Sequence, residues 1–306
     1  MNRALMRHSG LPSRLVAVAL AGGLVLGACS DGSSNGDAEP ATTTSTTEPE
    51  PTSTSAPGSV ESGGSLTAGP GVDLESQTIT LGVLADLSGP FASLTADVVD
   101  AHLVFWDGVN AAGGVDGWTI DVEVADTRAD PERHREEYAA MEGEVLAISQ
   151  STGSSANVGS LDTYISDEML VIPMSWFSGW PFRSIDRGVM LEQNTNYCIE
   201  AMNVVGFVNG MGASTLAIVT LDDVYGRDAG AGASRAADFY GIDVVYDGTG
   251  AVVSADELTE VIGAIGDTGA DWTFLATNPS VSAQIIAGAV RFGYEGLFAG
   301  TVPSYD

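Results

Sequence analysis

Lysine is absent from the 306 residues: all 11 basic side chains are arginine, set against 41 acidic ones for a formal charge of −30. Arg3, Arg7 and Arg14 lie in an opening stretch without a single acid, so the remainder is more acidic still. A surface of that sign repels phosphate backbones and anionic headgroups, which argues against nucleic acid as a partner. The acidity reads as a solubilising surface and says little about a ligand. Histidine is scarce and scattered, with His8 near the start, His102 alone, and His134 in the charged run ERHREE. No pair has metal-ligand spacing. The globular part has no Gly-x-Ser-x-Gly elbow, and Ser154 has no neighbour to activate it. Neither a hydrolase nor a cofactor enzyme is indicated, and no cofactor or metal is expected. The two cysteines, Cys29 and Cys198, sit in contexts too different to suggest a disulfide framework. Cys198, in NTNYCIEAM, reads as a buried apolar thiol. Long apolar runs are also missing. The stretch at 15–27 (LVAVALAGGLVLG) falls short of the roughly 20 residues that a membrane-spanning helix needs.

What is present begins with an address. A basic segment (1–14), a short apolar core (15–27) and small residues before Cys29 make a secretory signal. Leu26-Gly27-Ala28-Cys29 resembles the lipobox of bacterial lipoproteins. The resemblance implies a Cys29 acylated through its thiol at a new N-terminus; the alternative is an ordinary signal with a chance cysteine. Residues 30–77 follow, rich in Ser, Thr, Pro, Gly and Glu (ATTTSTTEPEPTSTSAPGS) and without hydrophobic period. Such a segment cannot bury enough apolar area to offset its chain entropy, and is expected to be a flexible spacer. An anchor plus a spacer would hold a folded part a few nanometres off a membrane, outside the cell.

From 78 the pattern alternates. Short apolar or alternating runs at 79–85, 119–125, 144–149, 169–174, 214–220, 242–247, 271–277 and 296–300 are expected strands. Helical spacing is expected at 95–112, 131–142, 155–168, 195–210, 226–240, a stretch capped by Ser254, and 280–292. Asp130-Pro131 offers an N-cap followed by proline at the first helical position. The rhythm predicts α/β architecture with parallel sheets covered on both faces. An irregular stretch at 175–196 splits it into two lobes, 78–196 and 197–306. Gly230-Ala231-Gly232 has no strand directly before it and reads as close helix packing, not a dinucleotide loop.

ITLGVLADLSGPFASLTADVV, followed by NAAGGVDGWTIDVEVADTRADPE, resembles the opening of periplasmic solute-binding proteins of the branched-chain amino acid and amide type. The likeness continues at 151–157, in LVIPMSW, in Asp223-Val224-Tyr225-Gly226 and in GADWTFLATNPSVSAQIIAGAVRFGYEG. It implies the type I periplasmic binding fold: two Rossmann-like lobes joined by a hinge, clamping a small polar solute for an ATP-driven importer. The implied partners are a membrane permease and its ATPase, in an extracytoplasmic, lipid-anchored setting. A sensor domain for a membrane signalling partner is the second reading, and an exported α/β enzyme the third.

The resemblance also marks candidate ligand contacts. Ser88 lies in the Leu-Ser-Gly-Pro turn. Ser154 and Ser155 lie between a strand end and a helix start, where hydroxyls and free amides suit a carboxylate or amide oxygen, although either could merely cap the helix. Ser175, Trp176 and Phe177 follow the next strand, with lobe packing or a hinge plug as the other reading of this aromatic turn. Tyr225 matches a residue that reaches into the cleft from the second lobe, and Thr277 and Asn278 end a strand on the same side. One departure stands out. Amino-acid-binding members place an acid shortly after the strand matching GLFAG, where this chain has Val302. That tilts the expected solute toward an amide, a weakly charged organic acid or a polar aromatic compound. Family members also continue for about a further hundred residues, so a truncated first lobe and poor solubility are expected.

Overall fold

The computed structural model describes residues 67–252 and 255–305. The signal segment, Cys29, most of the spacer, Ser254 and Asp306 lie outside the described residues.

The first lobe is built on β2 (Thr78–Ala85), β3 (Thr119–Asp126), β4 (Ala147–Thr152) and β5 (Val171–Met174), preceded by a short β1 (Val72–Asp73). The order is β3-β2-β4-β5, all parallel, and β1 pairs antiparallel with Thr78 and Ile79 ahead of β4. The segment expected as spacer to residue 77 therefore overlaps a strand. The helices are α1 (Ala92–Ala111), α2 (Pro131–Met141) and α3 (Ser154–Ser166). Asp130 caps α2 as expected, accepting from the Glu132 and Arg133 amides.

Strand β4 starts and ends three residues later than the apolar letters suggested. Glu144 is taken into a turn on the Met141 carbonyl. At the other end Gln150, Ser151 and Thr152 continue the strand although polar. They are buried, and the Ser151 carbonyl accepts from the Asn157 amide.

The chain then crosses through a short helix α4 (Arg183–Asp186) to the second lobe. There β6 (Thr215–Leu221), β7 (Asp243–Val252), β8 (Trp272–Ala276) and β9 (Leu297–Gly300) form a parallel sheet in the order β7-β6-β8-β9. Helices α5 (Tyr197–Gly210), α6 (Val224–Tyr240), α7 (Ala255–Thr268) and α8 (Pro279–Arg291) cover it. One face packs Val205, Leu216, Ile218, Ala233 and Phe274 under α5 and α6, the other Val219, Val261, Ile265, Leu275 and Ile285 under α7 and α8. Gly230 and Gly232 are contact points of α6, against Thr249 and the Cys198 carbonyl.

The first lobe is less evenly covered. Leu84, Tyr138, Ile148, Tyr164, Val171 and Trp180 form a core under α2 and α3. The apolar cluster under α1 is small, with Val83, Ala85 and Val99 buried, and Phe105 is left 60% exposed. Consecutive parallel strands separated by helices put every strand's carboxyl end on one edge, and that edge carries the site.

Candidate functional site

The carboxyl ends of both sheets meet around a cavity of about 270 Å³. The first lobe supplies Phe91, Leu94 and Thr95 from the start of α1, Ala129 and Pro131 from the start of α2, residues 152–156, Met174 and Trp176. The second supplies Tyr197, Asp223, Tyr225 and Pro303. Aromatic rings make up much of the wall. Tyr197 and Tyr225 have centroids 4.6 Å apart, Trp176 meets Tyr197 edge-on at 5.8 Å, and Phe91 meets Tyr225 edge-on at 6.4 Å.

At the polar part of the wall, Gly153 turns the chain from β4 into α3 with φ 98°, a conformation that favours glycine. No side chain caps α3, whereas Asp130, Asn196, Asp223 and Asn278 cap α2, α5, α6 and α8. Its first-turn amides stand at the cavity with the hydroxyls of Ser154 and Ser155, an arrangement that suits an acceptor oxygen. Ser175, fully buried behind the wall, donates to Ser154 Oγ at 2.8 Å and so orients it.

Two junctions made by side chains link the lobes near the site, beside the bond from the Tyr197 amide to the Trp176 carbonyl. Ser155 Oγ accepts from the Val224 amide at 3.3 Å, which joins the starts of α3 and α6. Ser178, in the crossing, donates from its amide (2.8 Å) and its hydroxyl (2.6 Å) to Asp228 on α6. Burial raises the Asp228 carboxyl, and burial together with the Asp228 charge pushes Glu192 up to about 7.

Of the residues singled out from sequence, Ser154, Ser155, Trp176 and Tyr225 line the cavity. Tyr225 does so with its ring. Its hydroxyl is committed to the second lobe, sharing a 2.5 Å bond with Thr301 Oγ1 and donating to the Thr277 carbonyl at 3.3 Å. Ser88 stands outside, exposed, with its hydroxyl on Asp126 at 2.6 Å. Phe177 lies against Trp180 at 5.3 Å on the first-lobe core, while the indole of Trp180 donates to the Ser175 carbonyl. Thr277 is buried with its hydroxyl on Ser282, and Asn278 caps α8. The structure thus separates the aromatic turn into one wall residue and two packing residues.

Sequence reading missed Phe91, Tyr197 and Asp223 as wall residues. Asp223 was visible only as part of the Asp-Val-Tyr-Gly string. It caps α6 by accepting from the Gly226 amide at 2.7 Å, and burial raises its carboxyl. Among the described residues no group of His, Cys, Asp and Glu is arranged to hold a metal, and no helix is long and apolar enough to cross a membrane.

Residues 78–306 match a family model described as periplasmic binding protein. Among solved structures, the chain is similar to a fatty acid ABC transporter substrate-binding protein from Thermomonospora curvata. That likeness has 25% identity and a TM-score of 0.70, over 78% of this chain and 61% of the other. A branched chain amino acid ABC transporter from Thermus thermophilus with bound valine gives 18% and 0.65, over 74% and 59%. A solute binding protein of ABC transporter from Rhodopseudomonas palustris HaA2, in complex with p-hydroxybenzoic acid, gives 16% and 0.64, over 74% and 62%. The chain therefore spans about three fifths of the length of these structures. Among curated proteins, no match was found.

Proposed function

The chain belongs to the periplasmic binding protein family, and from that premise we propose that it is the extracytoplasmic solute receptor of an ABC importer. It closes two α/β lobes on a small organic solute and presents the closed form to a membrane permease driven by an ATPase. The observation that carries this reading is the cavity between the strand ends of the two lobes. Its wall is mostly apolar, with hydroxyls and the uncapped start of α3 gathered on one part of it. A pocket of that kind binds and orients; the apolar part holds the solute's body and a few polar groups select its head. The volume lies just below the ~300 Å³ at which small-molecule sites begin, so the solute is small. The solute-binding proteins among the similar structures support the transport reading. The lipobox at Cys29 completes it as a tether: acylation there keeps the receptor beside its permease.

Trp176 sits in the wall and reports on it. Titration of the purified full-length chain with a panel of small acids, amides, amines and amino acids should shift tryptophan emission for the true ligand class. Trp176→Phe should remove most of that signal while calorimetry still records binding. A panel that changes neither emission nor melting temperature would sink the receptor reading. The tether is tested separately: palmitate labelling should be present in the wild type and absent in Cys29→Ser.

A further inference from the structure

Among the described residues, the cavity wall has one acidic side chain, Asp223, and no arginine or histidine. We infer that Asp223 selects a solute with a neutral carboxamide head, and rejects the free carboxylate of the same shape. The inference rests on the receptor reading above and names the solute class of that same site.

Three observations converge. First, the arginines beside the wall in sequence are turned elsewhere. Arg128 is exposed and pairs with Asp126, and Arg227 is exposed and pairs with Asp222. A carboxylate in the cavity would lack a cation and would share a poorly solvated space with Asp223. Second, Asp223 does not stand far from the acceptor-binding part of the wall. The amide of Val224, its neighbour in sequence, is bonded to Ser155 Oγ, so the starts of α6 and α3 adjoin. A head group seated between them meets amide donors on the α3 side and a carboxylate acceptor on the α6 side. A primary amide matches both: its carbonyl accepts from α3 and its NH2 donates to Asp223. A carboxylate offers acceptors alone, and an ammonium donors alone.

Third, no other acid in the described part of the wall can take the donor. The 3-10 turn Val302–Ser304 stands where an acid would follow β9. Glu200 lies outside the cavity, where it accepts from the Val302 amide at 2.6 Å.

The test uses two isosteric trios on the full-length chain by calorimetry at pH 7.5: 4-hydroxybenzamide, 4-hydroxybenzoate and 4-hydroxybenzylamine, then hexanamide, hexanoate and hexylamine. The amide of at least one trio should bind tenfold or more tighter than its carboxylate and its amine. Asp223→Asn keeps a good helix cap, so folding should persist by circular dichroism. In that variant the amide-to-carboxylate ratio should shrink to less than threefold. A carboxylate or amine binding as tightly as its amide overturns the inference, and so does an unchanged ratio in Asp223→Asn. If none of the six probes binds but the broader panel yields a ligand, the inference alone falls. If the broader panel also fails, the receptor reading falls with it.

Discussion

Tyr225 presents its ring to the cavity and its hydroxyl to Thr301 and the Thr277 carbonyl. Those two roles separate under mutation. Tyr225→Phe keeps the wall but strips a buried bond, so stability should fall by about 1 kcal/mol in urea denaturation. Ligand affinity should change less than threefold; a large loss would mean that the hydroxyl reaches the solute. His134 makes a similar point in the first lobe. Its letters sit in the run ERHREE, which reads as a solvated face, yet His134, Tyr138 and Met141 are the buried side of α2. Its Nε2 shares a 2.7 Å bond with the Tyr164 hydroxyl, and burial lowers the ring to about 4 from an ordinary 6.5. The unfolded chain thus holds a proton between pH 6.5 and about 4 that the folded protein does not. Stability is full above 6.5 and is lost toward pH 4, by at most ~1.4 kcal/mol per unit from this group. Urea midpoints at pH 7 and pH 5 should differ less in His134→Gln than in the wild type. The spacing of the buried residues was legible; the charged neighbours concealed it.

At the scale of elements, alternation of strand and helix was readable because burying one face of each element imposes a local period. Boundaries were less so. Strand β4 runs on through Gln150, Ser151 and Thr152 because its ladder and the Asn157 bond satisfy buried polar groups there. Letters alone do not reveal that. Close packing of α6 was legible in its small residues, and the structure supplies the partner: a Cβ on Gly232 would lie 2.2 Å from the Cys198 carbonyl of α5. Gly232→Ala should therefore push the helices apart and cost about 1–3 kcal/mol by urea denaturation. A methyl group added at Gly263 of α7 would meet only open space. Gly263→Ala should be neutral or stabilise by about 0.5–1 kcal/mol, since it adds helix propensity at no steric cost. Equal losses in the two variants would refute the packing argument.

The whole molecule carries a formal charge of −30, and the described ion pairs are on the surface. Such pairs contribute little each, so diffuse self-repulsion should dominate the response to salt. Raising sodium chloride from 0.05 to 0.5 M should raise the melting temperature, because the Debye length contracts from above about 10 Å to below it. A fall would mean that local pairs outweigh the net field.

Composition and period by themselves determined an acidic α/β protein with its loops gathered at strand ends, because charge, apolar runs and helical spacing are local properties. The resemblance to periplasmic solute-binding proteins, and not composition, marked Ser154, Ser155, Trp176 and Tyr225, which line the cavity. Only the tertiary structure decided that Phe91, Tyr197 and Asp223 join them, and that Phe177, Thr277 and Asn278 serve packing and capping. The reason is physical: a wall shared by two lobes depends on the path of the crossing and on how the two sheets face each other. Those are non-local relations that no window of sequence contains.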